Sequence, residues 1–301
     1  MGYNVFTESR GFCDMRGLIG ILLAVSCGFA QTSLQRAEEL YNKTDYRESL
    51  ELLRDVPSRD VFPAQASVYN LIGRDYFMLG EYKKATEAFQ KAFALEPSNS
   101  VHAHWLGRAF GRRAETSSPF LAPMHASKAR QYFEQAVALD PANAEAMNDL
   151  FDYYLQAPGF LGGGYDKAEQ VAKRIAQRNE AEGHFAEAQL ADKRRQYDTA
   201  EEQLRRAMEL APHQVGRVLD LARYLAKRGR IRESEAAFDQ AVQIAPNSPK
   251  VYFDRARVYI EGKRNLDKAK ALLIQYLRSD LTPDDPPREQ AEKLLKQVSS
   301  T

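Results

Sequence analysis

Thiols are almost absent from this sequence, and both of them sit near one end. The 301 residues contain two cysteines, Cys13 and Cys27. From residue 31 onward the chain therefore has no disulfide, no thiolate nucleophile and no cysteine metal ligand. The stability of this part must come from packing rather than from cross-links.

An excess of charge of one sign is also missing. The chain carries 42 Lys and Arg residues against 41 Asp and Glu residues, a net charge of +1. No global field draws such a protein to nucleic acid or to an anionic membrane, and its basic doublets are interspersed with acids. We therefore predict no nucleic-acid partner, and any electrostatic attraction must come from local patches.

Catalytic signatures are lacking as well. The sequence contains no Gly-x-Ser-x-Gly, no His-Glu-x-x-His and no Gly-x-x-x-x-Gly-Lys-Ser/Thr motif. Together these absences argue against the common hydrolase and nucleotide-binding classes. We predict a protein that is not an enzyme and needs no cofactor.

The most apolar run lies near the N-terminus. Residues Gly17 to Val25 read GLIGILLAV, which is too short for a membrane span of about 20 residues. Arg16 precedes the run and small residues ending at Ala30 follow it, as in a secretory signal peptide. We predict that residues 1–30 are a signal peptide cleaved after Ala30, and that the protein is periplasmic or secreted.

Two alternatives for this leader stay open. The stretch from Ala24 to Cys27 resembles a bacterial lipobox, in which Cys27 would be acylated and the protein anchored to a membrane, although Leu would be expected where Ala24 stands. Met15, directly before Arg16, would give a more conventional signal if translation started there.

A 34-residue unit from Ala66 to Asn99 organises the rest of the chain. The spacing 69, 72, 73, 76 places an apolar stripe on one helix, and the spacing 85, 89, 92 places another on a second helix. The positions concerned are Tyr69, Ile72, Gly73, Tyr76, Ala85, Phe89, Ala92 and Pro97. Their order resembles the tetratricopeptide repeat. The resemblance implies helix-turn-helix units that stack into a right-handed superhelix and bind other proteins.

The same pattern recurs along the chain. Units start near residues 30, 66, 100, 144, 181, 215 and 249, which predicts an all-α solenoid of about seven repeats over residues 31–283. The first unit is degenerate, as terminal repeats usually are. Asp285-Pro286 then opens a last amphipathic helix, which predicts a C-terminal capping helix within residues 284–301.

Two repeats are longer than the others. The third has ten extra residues between Phe110 and Ala129, and the fourth has five between Tyr154 and Ala168. We predict inserted loops near 111–122 and 157–164, on one edge of the superhelix, whose apolar residues either bury against each other or form a docking edge. The residues assigned to this edge are Phe120, Leu121, His125, Phe160 and Leu161.

The register of the resembled family implies which residues line the concave groove. Transferred by position, they are Asn70, Arg74, His104, Arg108, Arg112, Asn148 and Asp152, with Arg223 and Lys227 further along. The groove is predicted to be net positive and to suit a peptide with acidic side chains or a free carboxylate. The alternative is a solvated inner face in which Arg108 pairs with Asp152.

Histidines offer a competing interpretation. His102 and His104 have the spacing of a chelating pair on a strand, but residues two apart on a helix point about 200° apart. A metal site would need His125 to join one of them. The sequence therefore predicts no metal site, and a metal-dependent enzyme or binder using His104 and His125 is the alternative from a different class.

These observations predict an exported, non-enzymatic scaffold. It would bind a protein or peptide through the concave groove and through the edge made by the two inserts. A lipid-tethered envelope-assembly factor is the alternative within the same class.

Overall fold

Helices account for all the regular secondary structure that is described. The computed structural model describes residues 33–54, 56 and 65–299, so the predicted signal peptide and its alternatives lie outside it. Within these residues there is no strand, which confirms the all-α prediction. None of the described helices is both long and apolar enough to cross a bilayer.

The helices follow one another as hairpins. Consecutive helices pair from α1 with α2 to α13 with α14, and α15 packs on α14 and α13. In chain order the helices are α1 (33–42), α2 (Tyr46–Leu53), α3 (Gln65–Met78), α4 (Tyr82–Leu95), α5 (Ser100–Thr116), α6 (Ala122–Leu139), α7 (Ala144–Gln156), α8 (Tyr165–Ala176), α9 (Glu180–Lys193), α10 (Tyr197–Leu210), α11 (Val215–Lys227), α12 (Ile231–Ile244), α13 (Pro249–Glu261), α14 (Leu266–Arg278) and α15 (Arg288–Ser299).

A glycine on the first helix lets the two helices of a repeat approach each other. A Cβ atom at Gly73 would lie 2.5 Å from the Phe89 ring, and one at Gly107 would lie 2.7 Å from the Phe133 ring. Both rings are buried, so neither can move aside without opening the core. This close approach explains why the 34-residue pattern combines Gly on one helix with Phe on the next.

Several turns inside hairpins place a residue in the left-handed region, and the turn before α14 places two there, Lys263 and Asn265. The φ angle is 74° at Gly80 and 75° at Gly229, where glycine adopts it without steric cost. Three other hairpins place Thr44, Arg195 and Lys263 there, with φ of 65°, 62° and 49°. A side chain in this region costs about 1 kcal/mol, so these turns are held by the packing of the helices on either side.

The lengthened third repeat contains longer helices instead of a long loop. α5 has 17 residues and α6 has 18, against 14 in each of α3 and α4. Only residues 117–121 connect them, which corrects the prediction of an inserted loop near 111–122. The fourth repeat does carry its extra residues in a turn, which contains a 3-10 helix (Gly159–Leu161).

The last helix covers the apolar end of the stack. Ala291 of α15 is buried, and Leu294, Leu295 and Val298 pack on the core formed by α13 and α14. These are the four apolar positions of its amphipathic pattern. A solenoid needs such a cover because its terminal repeat has no further neighbour.

Candidate functional site

The first helices of neighbouring repeats form the inner layer of the solenoid. α3 contacts α5, α5 contacts α7, α7 contacts α9, and α11 contacts α13. Two cavities open on the part of this layer made by α3, α5 and α7. The predicted groove residues between Asn70 and Asp152 lie on these three helices.

Arginine guanidiniums and aromatic rings alternate along this face. The Arg74 Cζ atom lies 4.3 Å from the centre of the Tyr41 ring and 5.1 Å from that of Trp105. The Arg108 Cζ atom lies 4.5 Å from Trp105 and 5.4 Å from Phe77. A ring face attracts a guanidinium and fixes its plane, while the N–H groups at its edge stay able to bind carboxylates.

The series continues to the outer end of α5. The Arg112 Cζ atom lies 5.1 Å from the Tyr82 ring centre, and Nε and Nη2 donate to the Tyr82 hydroxyl at 3.2 and 3.1 Å. Arg112 also pairs with Glu115. We name the whole series the arginine–aromatic ladder: Tyr41, Arg74, Trp105, Arg108, Phe77, Arg112 and Tyr82.

An acidic wall on α7 faces the ladder. His104 is buried, and its Nε2 lies 2.7 Å from Asp149 Oδ2. Arg108 Nε lies 3.5 Å from the same oxygen, so Arg108 pairs with Asp149. The alternative interpretation of the sequence, in which Arg108 pairs with Asp152, named the wrong acid. Asp152 is partly buried, and its burial together with the charge of Asp149 raises its pKa to about 6.

The two cavities along this face differ in their walls. One of ≈ 730 Å³ lies between the ladder and α7, and Asn148 lines it as predicted. The other, of ≈ 420 Å³, runs from Arg108 along α5 and α7 to Leu161 in the turn of the fourth repeat. Each is large enough for a few residues of an extended peptide.

The predicted net positive charge of the groove is not what the structure shows. Two arginines of the larger cavity stand against four acids. These residues are Arg74, Arg108, Asp140, Glu145, Asp149 and Asp284. The groove therefore carries charges of both signs, with cations on the ladder and acids on the opposite wall.

Arg74 differs from the other cations of the ladder. No ion pair links it to an acid within the described residues, and its Nε is buried without a hydrogen-bond partner. The adjacent Asp75 is engaged by Ser49 instead, whose Oγ donates to Asp75 Oδ2 at 2.8 Å. Arg74 is thus a positioned guanidinium at the wall of the larger cavity, hydrogen-bonded to Tyr41 but without an acidic partner in the described part of the chain.

Asn70, predicted to contact a peptide, is occupied elsewhere. It is buried, and its Nδ2 donates to His102 Nδ1 at 3.0 Å. His102 Nε2 then donates to Glu96 Oε2 at 3.1 Å, which fixes the tautomer. Burial lowers the pKa of His102 and favours this neutral form. The chain of contacts ties the second repeat to the third.

The predicted edge residues divide into three groups by exposure. Phe120 is 94% exposed and Phe160 is 82% exposed, and Leu121 is also exposed. Leu161 is partly buried at the end of the smaller cavity. His125, predicted in a loop, lies in α6 and is buried with its ring stacked on Phe110 at 5.9 Å, so it cannot form part of an exposed edge.

The C-terminal part of the inner face neutralises its own charges. Arg217 pairs with Glu182 and Asp220, and Arg223 pairs with Asp220 and Asp254. Lys227 Nζ lies 2.7 Å from Asp192 Oδ2. Arg223 and Lys227 therefore do not extend a positive groove, and the candidate site is confined to the first four repeats.

The histidines do not assemble a metal site. His102 contacts Asn70 and Glu96, whereas His104 faces Asp149, so the two rings point to different neighbours as helical geometry predicts. Across the described residues, no group of three or more His, Cys, Asp or Glu side chains has the geometry to hold a metal ion.

Solved structures share this architecture. A tetratricopeptide repeat protein from Parabacteroides merdae superposes with a TM-score of 0.59 at 15% identity, covering 90% of this chain and 99% of its own. A thermophilic TPR protein of Thermus thermophilus gives 0.53 at 21% identity, covering 65% and 98%. The Cut9–Hcn1 hetero-tetramer of the APC/C gives 0.51 at 16% identity, covering 87% of this chain and 48% of the other.

Family profiles match the sequence itself. Three profiles described as tetratricopeptide repeat match residues 66–99, 185–249 and 225–286. No curated protein matches the sequence. The repeat profiles and the shared helical architecture agree with the 34-residue pattern, and residues 66–99 and 185–286 of the chain are tetratricopeptide repeats.

Proposed function

We propose that this scaffold binds an extended segment of a partner protein in the groove of its first four repeats. One observation carries the proposal: Arg74 is held between Tyr41 and Trp105 at the wall of the larger cavity, without an acidic partner of its own in the described part of the chain. A carboxylate of the partner would complete its hydrogen bonds. The acids of α7 would take basic or N–H groups on the other side of the same segment.

The exposed edge extends this site. The smaller cavity begins at Arg108 and ends at Leu161, beside the turn that carries Phe160. A segment leaving the groove in this direction reaches the exposed rings of Phe160 and Phe120. We assign both rings to the same partner because the cavity is continuous with the groove, and exposed aromatic anchors are typical of interfaces.

The test compares matched charge variants. Bait protein is used to capture partners from envelope extract, and recovery is quantified for wild type, Arg74→Glu, and Arg206→Glu on α10 as an exposed control. We expect the groove variant to lose a defined set of partners at least ten-fold, and the control to keep them. Equal recovery by all three proteins would refute the groove assignment.

The export and the class of the protein are part of the same proposal. Residues 1–30 direct it to the periplasm or the medium, and it performs no catalysis there. Acylation at Cys27 is the alternative, which labelling with a radioactive fatty acid tests directly. The metal-dependent alternative gains no support from the positions of His104 and His125 described above.

A further inference from the structure

The two ends of the solenoid come together over the concave face. A third cavity, of ≈ 330 Å³, has residues 43–48 of the first hairpin on one wall and residues 281–282 and 285–289 on the other. The larger groove cavity is likewise lined by Tyr41 and Arg74 together with Pro283 and Asp284. The segment 279–287, which joins α14 to α15, therefore closes the ring of repeats, and we name it the closing segment.

The closing segment has the chemistry expected of a groove ligand. It reads Ser-Asp-Leu-Thr-Pro-Asp-Asp-Pro-Pro, with three acids, three prolines and no cation. Its prolines restrict the backbone, and its centre is a turn in which the Asp285 N–H donates to the Thr282 carbonyl at 3.0 Å. A carboxylate on such a backbone can accept hydrogen bonds from the Arg74 guanidinium.

Its internal contacts engage one of its three carboxylates, that of Asp285. Thr282 donates to Asp285 Oδ2 from both its backbone N–H and its hydroxyl, each at 2.9 Å. Leu281 is buried on the core of the last repeat. Asp284 is exposed and lines the cavity that contains Arg74 and Arg108.

The segment is also fixed to the helices that carry it. The Tyr276 hydroxyl donates to the Pro286 carbonyl, and Arg288 Nη1 donates to the Leu277 carbonyl at 2.6 Å. It therefore cannot leave the groove by unravelling alone. Since each repeat of a solenoid contacts only its neighbours, small rotations spread over several repeats can move the C-terminal end away as one piece.

We propose that the closing segment competes with the partner for the groove: Asp284 lines the same cavity as Arg74 and Arg108 without pairing with Arg74, and a partner's carboxylate must displace the segment to bind that guanidinium. This inference rests on the proposed function. The partner segment is then an Asp- or Glu-bearing, proline-bounded stretch, and its binding opens the ring. The free protein is held closed, and affinity is reduced by the free energy of opening.

A labelled peptide tests the competition. The probe is a fluorescein-labelled peptide with the sequence of residues 279–287, and binding to the full chain is followed by fluorescence anisotropy at low salt. We expect Asp284→Asn to bind it about ten-fold more tightly than wild type, equivalent to about 1.4 kcal/mol. Asp267→Asn, an exposed acid on α14, is the charge-matched control and should bind as wild type does. Arg74→Ala should abolish binding.

Spin labels test the opening itself. Arg47 and Glu289 lie on opposite walls of the ≈ 330 Å³ cavity and are exposed. Spin labels at Arg47→Cys and Glu289→Cys, in a chain carrying Cys13→Ser and Cys27→Ser, should give one short distance between the labels in pulsed electron paramagnetic resonance. Saturating peptide should lengthen and broaden it.

The two proposals fail in different ways. If wild type and Asp284→Asn bind the probe equally, both through Arg74, and the label distance does not change, the competition by the closing segment is refuted and the groove site stands. If no protein binds the probe, or binding ignores Arg74→Ala, the groove assignment is refuted and the competition with it.

Discussion

The buried carboxyl of Asp75 makes the N-terminal repeats sensitive to pH. Asp75 is fully buried on α3, its Oδ2 accepts one hydrogen bond from Ser49 of α2, and its Oδ1 has no partner. Burial raises its pKa to about 8, against opposing contributions from the Ser49 hydrogen bond and the Arg74 charge. The residue is therefore protonated in the folded protein at neutral pH.

The sign of the effect follows from proton uptake. In the unfolded chain the pKa of Asp75 is 3.8, so between pH 4 and pH 8 the unfolded state has lost a proton that the folded state keeps. Stability from this group is complete below the unfolded pKa and is lost as the pH rises towards 8. The slope is about 1.4 kcal/mol per pH unit, so wild type loses about 3 kcal/mol between pH 5 and pH 7 through this group.

Asp75→Asn removes the proton and keeps an acceptor for Ser49. We expect the free energy of opening of α2 and α3, measured by native-state hydrogen exchange, to fall from pH 5 to pH 7 by about 3 kcal/mol more in wild type than in the variant. Comparing the two at each pH cancels the intrinsic pH dependence of exchange. Asp267→Asn is the control. Parallel profiles for wild type and Asp75→Asn would show that the carboxyl is ionised in the folded protein and would refute this reasoning.

Three further predictions concern packing, turns and the groove. Gly73→Ala places a methyl group 2.5 Å from the Phe89 ring and should cost about 1–3 kcal/mol in urea unfolding, whereas Gly111→Ala, with nothing within 4 Å, should gain up to about 1 kcal/mol. Arg195→Gly relieves a φ of 62° and should raise stability by about 0.5–1 kcal/mol in the same assay, and a loss would contradict the assigned turn. Trp105 is the one tryptophan of the chain and belongs to the ladder, so peptide binding should change its emission, and an unchanged spectrum at saturation would place the peptide elsewhere.

The sequence predicts the fold well because the residues of the repeat pattern are those that the close contact between the two helices of a repeat requires. Gly73 and Phe89 occupy fixed offsets since the two helices meet there, and the same close contact recurs at Gly107 and Phe133. Such contacts are local in sequence, so they can be read without knowing the tertiary structure. The repeat count and the handedness of the superhelix stay predictions.

The lengthened repeat shows where counting residues fails. The distance from Phe110 to Ala129 reveals ten extra residues but not their conformation. Residues 111–116 continue α5 because they include good helix formers. The helix ends only at the turn-forming residues Ser117 to Pro119. Turn chemistry, and not the length of the gap, was the signal that located the connection.

The site was only partly predictable. The family register found Arg74 and Arg108, but it passed over Asp149, one residue beyond Asn148, which pairs with His104 and Arg108. A rotation of about 100° per residue separates these two positions on α7. The sequence does contain one indication of this acidic wall: Asp149 follows Glu145 by four residues, which places the two acids on the same face of α7. Which residues partner each other across repeats depends on stacking angles that a repeat pattern does not encode.

Because α5 and α6 are longer than the helices of the second repeat, the stack is not built from identical units. In a solenoid of equal units, a bound strand could slip by one repeat and meet an almost equivalent surface. The long α5–α6 hairpin, with the exposed Phe120 in its turn, distinguishes one position along the edge of the solenoid from the others. If the proposed partner segment contacts both Phe120 and the ladder, it can bind in only one register and one direction, so the length of this hairpin would set the polarity of the bound segment.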